Sequence, residues 1–247
     1  MYAVANQKGG VGKTTTAVNV SACLAEAGER VLLVDLDPQA NATSGLGMRA
    51  NGVSTHDLLD GAPLRALAKP SPFRNLDVVM AKQDLAAAAV ELAARDGGER
   101  YLADALHGNL EPYSFVFLDC PPSFGPLTVN ALAAASRALV PVQAEYYALE
   151  GLSQLLGTIN LVKARLNPEL ALAGVLLTMA DGRTRLAADV ENELRRHFGE
   201  LVFTTTVPRS IRLAEAPSHG LPAIAYDRRS SGAEAYWKVA MELVERS

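Results

Sequence analysis

Cysteine is nearly absent: Cys23 and Cys120 are the only two in 247 residues. Two thiols point to neither a disulfide scaffold nor a closed zinc site of cysteines, and the scarcity fits a reducing compartment. No apolar run reaches the roughly 20 residues that a membrane helix needs. The amino terminus opens on a glycine-rich loop rather than a signal peptide. Positive charge is also short. Lys and Arg number 23 against 27 Asp and Glu, a net charge of −4 that argues against a protein coating nucleic acid with its whole surface. A local basic patch stays possible. No linker or repeat divides the chain, so one domain over residues 1–247 is expected, in the cytoplasm. What is present is ordinary for a soluble fold with a sizeable core: 49% hydrophobic and 20% charged residues.

The densest signal is Gln7-Lys8-Gly9-Gly10-Val11-Gly12-Lys13-Thr14-Thr15. A short apolar run, Tyr2-Ala3-Val4-Ala5, precedes it, and a helix is expected over residues 14–27, with Gly28 as its stop. Strand, glycine-rich loop and helix make the context of a phosphate-binding loop. Glycines let the backbone bend tightly so that its N–H groups close around phosphate oxygens, and the helix adds the positive end of its dipole. Lys13 would reach the β- and γ-phosphates of ATP, and the Thr14 hydroxyl would hold magnesium. Lys8, Gly9, Gly10, Val11, Gly12 and Thr15 complete the expected ATP-binding loop. The general pattern asks for glycine five residues before Gly12, where Gln7 stands; instead a second lysine, Lys8, opens the loop. This deviant form resembles the loop of the ParA/MinD group of ATPases. The resemblance implies that Lys8 crosses a dimer interface to the partner subunit's nucleotide.

Two carboxylate signals follow. Val31-Leu32-Leu33-Val34 reads as a strand buried on both faces, ending in Asp35-Leu36-Asp37-Pro38-Gln39. Carboxylates just past such a strand lie where open α/β sheets bind ligands. The stretch is similar to the second ParA signature, with Ala40 where a glycine is usual and Asn41-Ala42-Thr43 in agreement. By resemblance Asp37 orients or activates the attacking water, and Asp35 stands behind the groups that bind magnesium, reaching the ion through them or through water. Phe115-Val116-Phe117-Leu118-Asp119 is another buried strand that delivers a carboxylate, a Walker-B-like arrangement placing Asp119 on magnesium directly or through water. Cys120-Pro121-Pro122-Ser123 follows much as in the ParA family, with Cys120 read as a small buried residue.

Further strands are expected over residues 76–80, 138–142, 170–179 and 202–207, and helices over 84–94, 186–198 and 231–245. Residues 143–151 resemble the Soj-type segment near the dimer face, with packing the plain reading of Tyr146 and Tyr147. Residues 208–220 also match the Soj pattern. Ser210 stands for a usual asparagine that touches the nucleotide, and Leu221 for a frequent lysine. Adenine contacts are expected near Met179, Pro208 and Ser210. Arg183 and Arg212 fall at positions the family uses for DNA, with Arg209 a weaker candidate; non-specific phosphate contacts with steep salt dependence are expected.

Together the alternation predicts an α/β, doubly wound, mostly parallel β-sheet flanked by helices, the P-loop NTPase fold. The resemblance to ParA-type (Soj-like) chromosome-partitioning ATPases covers nearly the whole chain. It implies an ATP-sandwich homodimer that binds DNA non-specifically, release on hydrolysis stimulated by a ParB-type centromere-binding protein, and a nucleoid-associated cytoplasmic location. The first strand begins almost at Met1, so no amino-terminal DNA-binding domain is expected. A MinD-like ATPase positioning a membrane or protein cargo is the alternative; the charge-balanced tail from Trp237 lacks the basic amphipathic character of a membrane anchor. An iron–sulfur reductase with the same loop would need cluster cysteines, and Cys23 lies on the wrong element.

Overall fold

In the computed structural model, residues 1–145, 148–181 and 185–246 are described. Strand β1 (Tyr2–Val4) leads through the glycine-rich loop into α1 (Lys13–Glu26) and β2 (Val31–Asp35). Three short helices follow, α2 (Asn41–Gly45), α3 (Thr55–Leu59) and α4 (Leu64–Leu67), then β3 (Lys69–Pro70) and β4 (Leu76–Val79). The pattern continues with α5 (Leu85–Ala94), α6 (Tyr101–Leu106), β5 (Phe115–Asp119), α7 (Pro126–Ala134), β6 (Arg137–Gln143), α8 (Ala148–Arg165) and β7 (Ala171–Thr178). The chain ends with α9 (Arg185–Phe198), α10 (Ile211–Glu215), α11 (Ala223–Tyr226) and α12 (Ser231–Glu245).

The strands form a seven-stranded sheet ordered β3-β4-β2-β5-β1-β6-β7. Every neighbouring pair is parallel except β3–β4. The antiparallel edge strand was not expected: two residues, Lys69 and Pro70, are too short for any period to show. Alternate side chains of each strand feed opposite layers. Leu32, Val34 and Leu118 join the layer of α3, α5, α6, α7 and α8. Val31, Leu33 and Phe117 join the layer of α1 and α12, where Tyr236, Val239 and Leu243 are buried. Cys23 and Cys120 are both buried, one in each layer, so the sheet stands between them. Among the described residues no helix is long and apolar enough to cross a membrane.

Residues 202–207 do not form the expected strand. Isolated parallel bridges, Val175–Val202 and Ala180–Pro208, link this segment to β7 and its exit, with the Phe203 and Val207 N–H groups donating to the Val175 and Leu177 carbonyls at 2.9 and 2.8 Å. The cause is a competing acceptor: the Glu242 carboxylate on α12 takes the Thr204 N–H at 2.7 Å and the Thr205 N–H at 3.0 Å. The approach of this segment also fixes Gly174, where β7 slips register against β6. A Cβ there would lie 2.7 Å from the Leu201 carbonyl oxygen and from the Phe203 ring.

Candidate active site

The loops leaving β1 and β5 diverge. β1 sends its chain toward β2 and β5 sends its own toward β6, on opposite sides of this adjacent pair. The divergence opens a crevice at the carboxyl ends of the strands. Residues 5–12 fill its floor and are tied down from two later strands. Asn6 donates its Nδ2 to the Pro141 carbonyl on β6 at 2.8 Å and accepts the Lys8 N–H at 3.0 Å. Thr178, the last residue of β7, donates its hydroxyl to the Val11 carbonyl at 2.8 Å. Gly10 and Gly12 hold φ of 76° and 87°, left-handed values that a side chain would strain. Helix α1 then starts at Lys13 with no side-chain cap and no acidic residue in its first turn. Its leading N–H groups and positive dipole end are therefore left for an anion.

Lys13 is buried and folds back over the loop, its Nζ donating to the Lys8 carbonyl at 3.1 Å. Burial lowers its pKa, against the attraction of Asp119, Cys120 and Asp37. The sheet register sets the acids around it: Asp119 pairs with Val4 on one side and with Asp35 on the other. Asp35 is fully buried and accepts the Asp37 N–H at 3.1 Å, the Thr43 N–H at 2.9 Å and the Thr43 hydroxyl at 2.7 Å. It organises the turn that presents Asp37, whose Oδ1 accepts the Gln39 N–H at 2.9 Å. Ala40 adopts the left-handed φ of 53° that the usual glycine would take freely, at a cost on the order of 1 kcal/mol.

Asp119 differs from both. It is fully buried, and neither carboxylate oxygen has a hydrogen-bond partner among the described residues. Burial, then the Asp35 and Asp37 charges, raise its pKa well above the usual carboxylate range, while the neighbouring Thr14 hydroxyl and Lys13 pull it down. Two orphaned hard oxygens beside the Thr14 hydroxyl suit a small oxygen-seeking cation such as magnesium. Cys120 next door is buried and its thiol pKa is raised, mainly by burial, so it stays a neutral packing group.

A cavity of about 260 Å³ adjoins the loop, lined by Gly12, Thr15, Thr178, Met179, Pro208 and Ser210. The expected contact residues Met179, Pro208 and Ser210 thus share one wall, brought together as the Ala180 N–H donates to the Val207 carbonyl at 3.0 Å. Leu213 and Tyr236 also line it. Sequence reading missed Tyr236 as a site residue because it lies 220 positions from Thr16, whose hydroxyl is 3.0 Å from its own. Lys8 stands apart from the buried cluster. Its half-exposed ammonium pairs with Glu145 of the same chain. Arg212 is half-exposed and pairs with Glu215 at 2.9 Å and Asp227 at 3.4 Å. Arg183, the other expected DNA contact, lies outside the described residues, as do Tyr146 and Tyr147.

Comparison with known proteins decides the family. The AAA domain profile matches residues 1–172. The Bacillus subtilis sporulation initiation inhibitor protein Soj is 52% identical over 246 residues, covering 98% of this chain and 97% of that one. The chromosome-partitioning ATPase Soj of Thermus thermophilus is 56% identical over 244 residues, covering 99% and 95%. The chain belongs to the Soj/ParA family of chromosome-partitioning ATPases. Among solved structures, a Mycobacterium smegmatis protein described as cobyrinic acid a,c-diamide synthase, with bound ADP and magnesium, superposes with a TM-score of 0.85 at 39% identity, covering 99% of this chain and 93% of that one. As a Soj/ParA ATPase the chain has its deviant loop, its buried acids and its adjoining cavity at the carboxyl ends of the sheet's strands.

Proposed function

We propose that this Soj/ParA ATPase binds ATP and magnesium in the crevice, hydrolyses ATP as a dimer, and uses the bound state to hold DNA during chromosome or plasmid partition. The observation that carries this reading is the meeting of Lys13, Asp37 and the partnerless Asp119 at one uncapped helix start. Lys13 and the amides of residues 9–15 would bind the β- and γ-phosphates, and the cavity by Met179, Pro208 and Ser210 would take the adenosine. Thr14 and Asp119 would hold magnesium, with Asp35 behind them. Magnesium supplies neutralisation of the charge that builds on the phosphate oxygens.

Asp37, set by the Gln39 amide, would orient a water for in-line attack on the γ-phosphorus. The bond from that phosphorus to the bridging oxygen breaks, releasing ADP and phosphate. Lys8 would leave Glu145 and reach the partner subunit's nucleotide, adding positive charge only when two chains meet. The ATP dimer is then the DNA-binding state, with Arg212 and Arg183 on phosphates, and hydrolysis returns it to monomers. A basic tail of a ParB-type partner would stimulate this step, and the protein would work on the nucleoid in the cytoplasm. The apolar face of α12 packs on the sheet rather than facing outward for a membrane.

Size-exclusion chromatography with light scattering, with and without ATP, tests the switch. Wild type should dimerise with ATP, and Asp37→Ala should stay dimeric. Lys13→Ala should bind no nucleotide, and Lys8→Ala should bind ATP without hydrolysing it. Full hydrolysis by Lys13→Ala would overturn the assignment.

A further inference from the structure

Away from the crevice, α3 and α5 bring a histidine and two carboxylates together. His56 Nε2 lies 3.4 Å from Asp60 Oδ2 and 3.9 Å from Glu91 Oε2. Nε2 itself is buried and makes no hydrogen bond. One ligating atom from each of the three residues falls within 4.8 Å of the others, the only such set among the described residues. Tetrahedral zinc with bonds of about 2.0–2.1 Å sets its ligand atoms about 3.3 Å apart, a separation the His56–Asp60 pair already has and to which Glu91, at 3.9 Å from Nε2, would have to close. The outer contacts also suit a metal. The other ring nitrogen, Nδ1, lies 4.0 Å from Asp84 Oδ2, beyond hydrogen-bond distance but on the side from which a carboxylate can orient a ligating imidazole. Arg95 holds Asp60 by Oδ1 at 3.1 Å, which turns Oδ2 toward the histidine; it also pairs with Glu91 Oε2 itself at 3.1 Å, a contact that a metal on this oxygen would have to share or displace. Lys82 pairs with Asp84 at 3.0 Å, so the acids are partly neutralised.

We propose that His56, Asp60 and Glu91 form a divalent transition-metal site, zinc being the chemical match for one imidazole and two carboxylates, with water in the fourth position. The metal would tie α3 to α5. That tie has a reach: Thr55, beside His56, donates its hydroxyl to the Asp35 carbonyl at 2.7 Å, so α3 supports the strand end that carries the Asp35 carboxylate. The site is independent of the phosphate loop and binds without nucleotide.

The test is calorimetric titration of zinc chloride into the untagged, nucleotide-free full chain, beside thermal melts with zinc or with EDTA. One zinc per chain is expected, with a higher melting temperature. His56→Ala and Glu91→Gln should each weaken binding at least about tenfold and remove the thermal shift, and Asp84→Asn should weaken it by about 10–100-fold. Lys13→Ala should bind zinc as wild type does. Three results would overturn the proposal: no saturable binding, binding unchanged in His56→Ala, or an equal thermal shift in wild type and His56→Ala. A network of ion pairs alone gives the first of these. Should His56→Ala fail to fold, His56→Gln and Glu91→Gln carry the same comparison.

Discussion

Replacing Asp119 by asparagine should make the nucleotide-free protein more stable while removing its chemistry. The two oxygens of Asp119 are buried with no well-formed hydrogen bond among the described residues, the Thr14 hydroxyl being a weak neighbour, and lie beside Asp35 at the paired position of β2. An unsatisfied buried polar group costs about 1–3 kcal/mol, more when charged. Asparagine keeps the shape and leaves an amide as short of partners as the carboxyl, but it removes the charge buried beside Asp35, so a gain of about 2 kcal/mol is expected, or about 4–8 °C in melting temperature for a chain of this size. The pH dependence has a definite sign. The carboxyl's folded-state pKa is raised, first by burial and then by Asp35. The folded wild type thus holds its proton more tightly than the unfolded chain, and this stabilisation, complete below the unfolded pKa, is lost as pH rises through the folded one. Wild type and Asp119→Asn should therefore differ most near pH 8 and converge as the pH falls toward 4. Calorimetry in EDTA reads the stability and phosphate release with ATP and magnesium reads the activity, which should fall at least a hundredfold. A variant less stable than wild type at pH 8, or one that hydrolyses ATP normally, would refute the reasoning.

Other contacts give separate tests. Thr178→Val leaves the buried Val11 carbonyl without its donor; a loss of about 1–2 kcal/mol should appear as a lower urea midpoint at unchanged slope, with weaker ATP binding. Glu242 has a lowered pKa, because the Thr204 and Thr205 amides and Arg246 outweigh the opposing effect of burial. Its contribution is present above the unfolded glutamate pKa and lost as pH falls through the lower folded value, so Glu242→Gln should flatten the acid limb of a stability profile. Arg212→Glu should cut ATP-dependent DNA binding and reduce the slope of log affinity on log salt by about one contact.

The phosphate loop and the acids were legible because each is a contiguous string at the end of a buried strand, where local spacing carries the chemistry. Lys13, Asp37 and Asp119 could be named from such strings, and the sheet register then brings Asp119 level with Asp35. The supports of the loop could not be read this way. Asn6 reaches Pro141 and Thr178 reaches Val11 across 135 and 167 positions, and only the fold creates those pairs. Residues 202–207 have a strand composition, but the Thr204 and Thr205 amides in their middle go to Glu242 instead of to β7, which no local pattern announces. Ala40 departs from the family's glycine, yet the backbone keeps the left-handed turn, held by the Thr43 contacts to Asp35.

The central claim is that ATP switches this chain onto DNA. Its most direct test is DNA binding by the purified protein at low salt with ATP, ADP or no nucleotide, beside Asp37→Ala. Retention only with ATP, prolonged in Asp37→Ala and lost as salt rises, is the predicted result. Binding that ignores the nucleotide, or no binding in any state, would contradict the account.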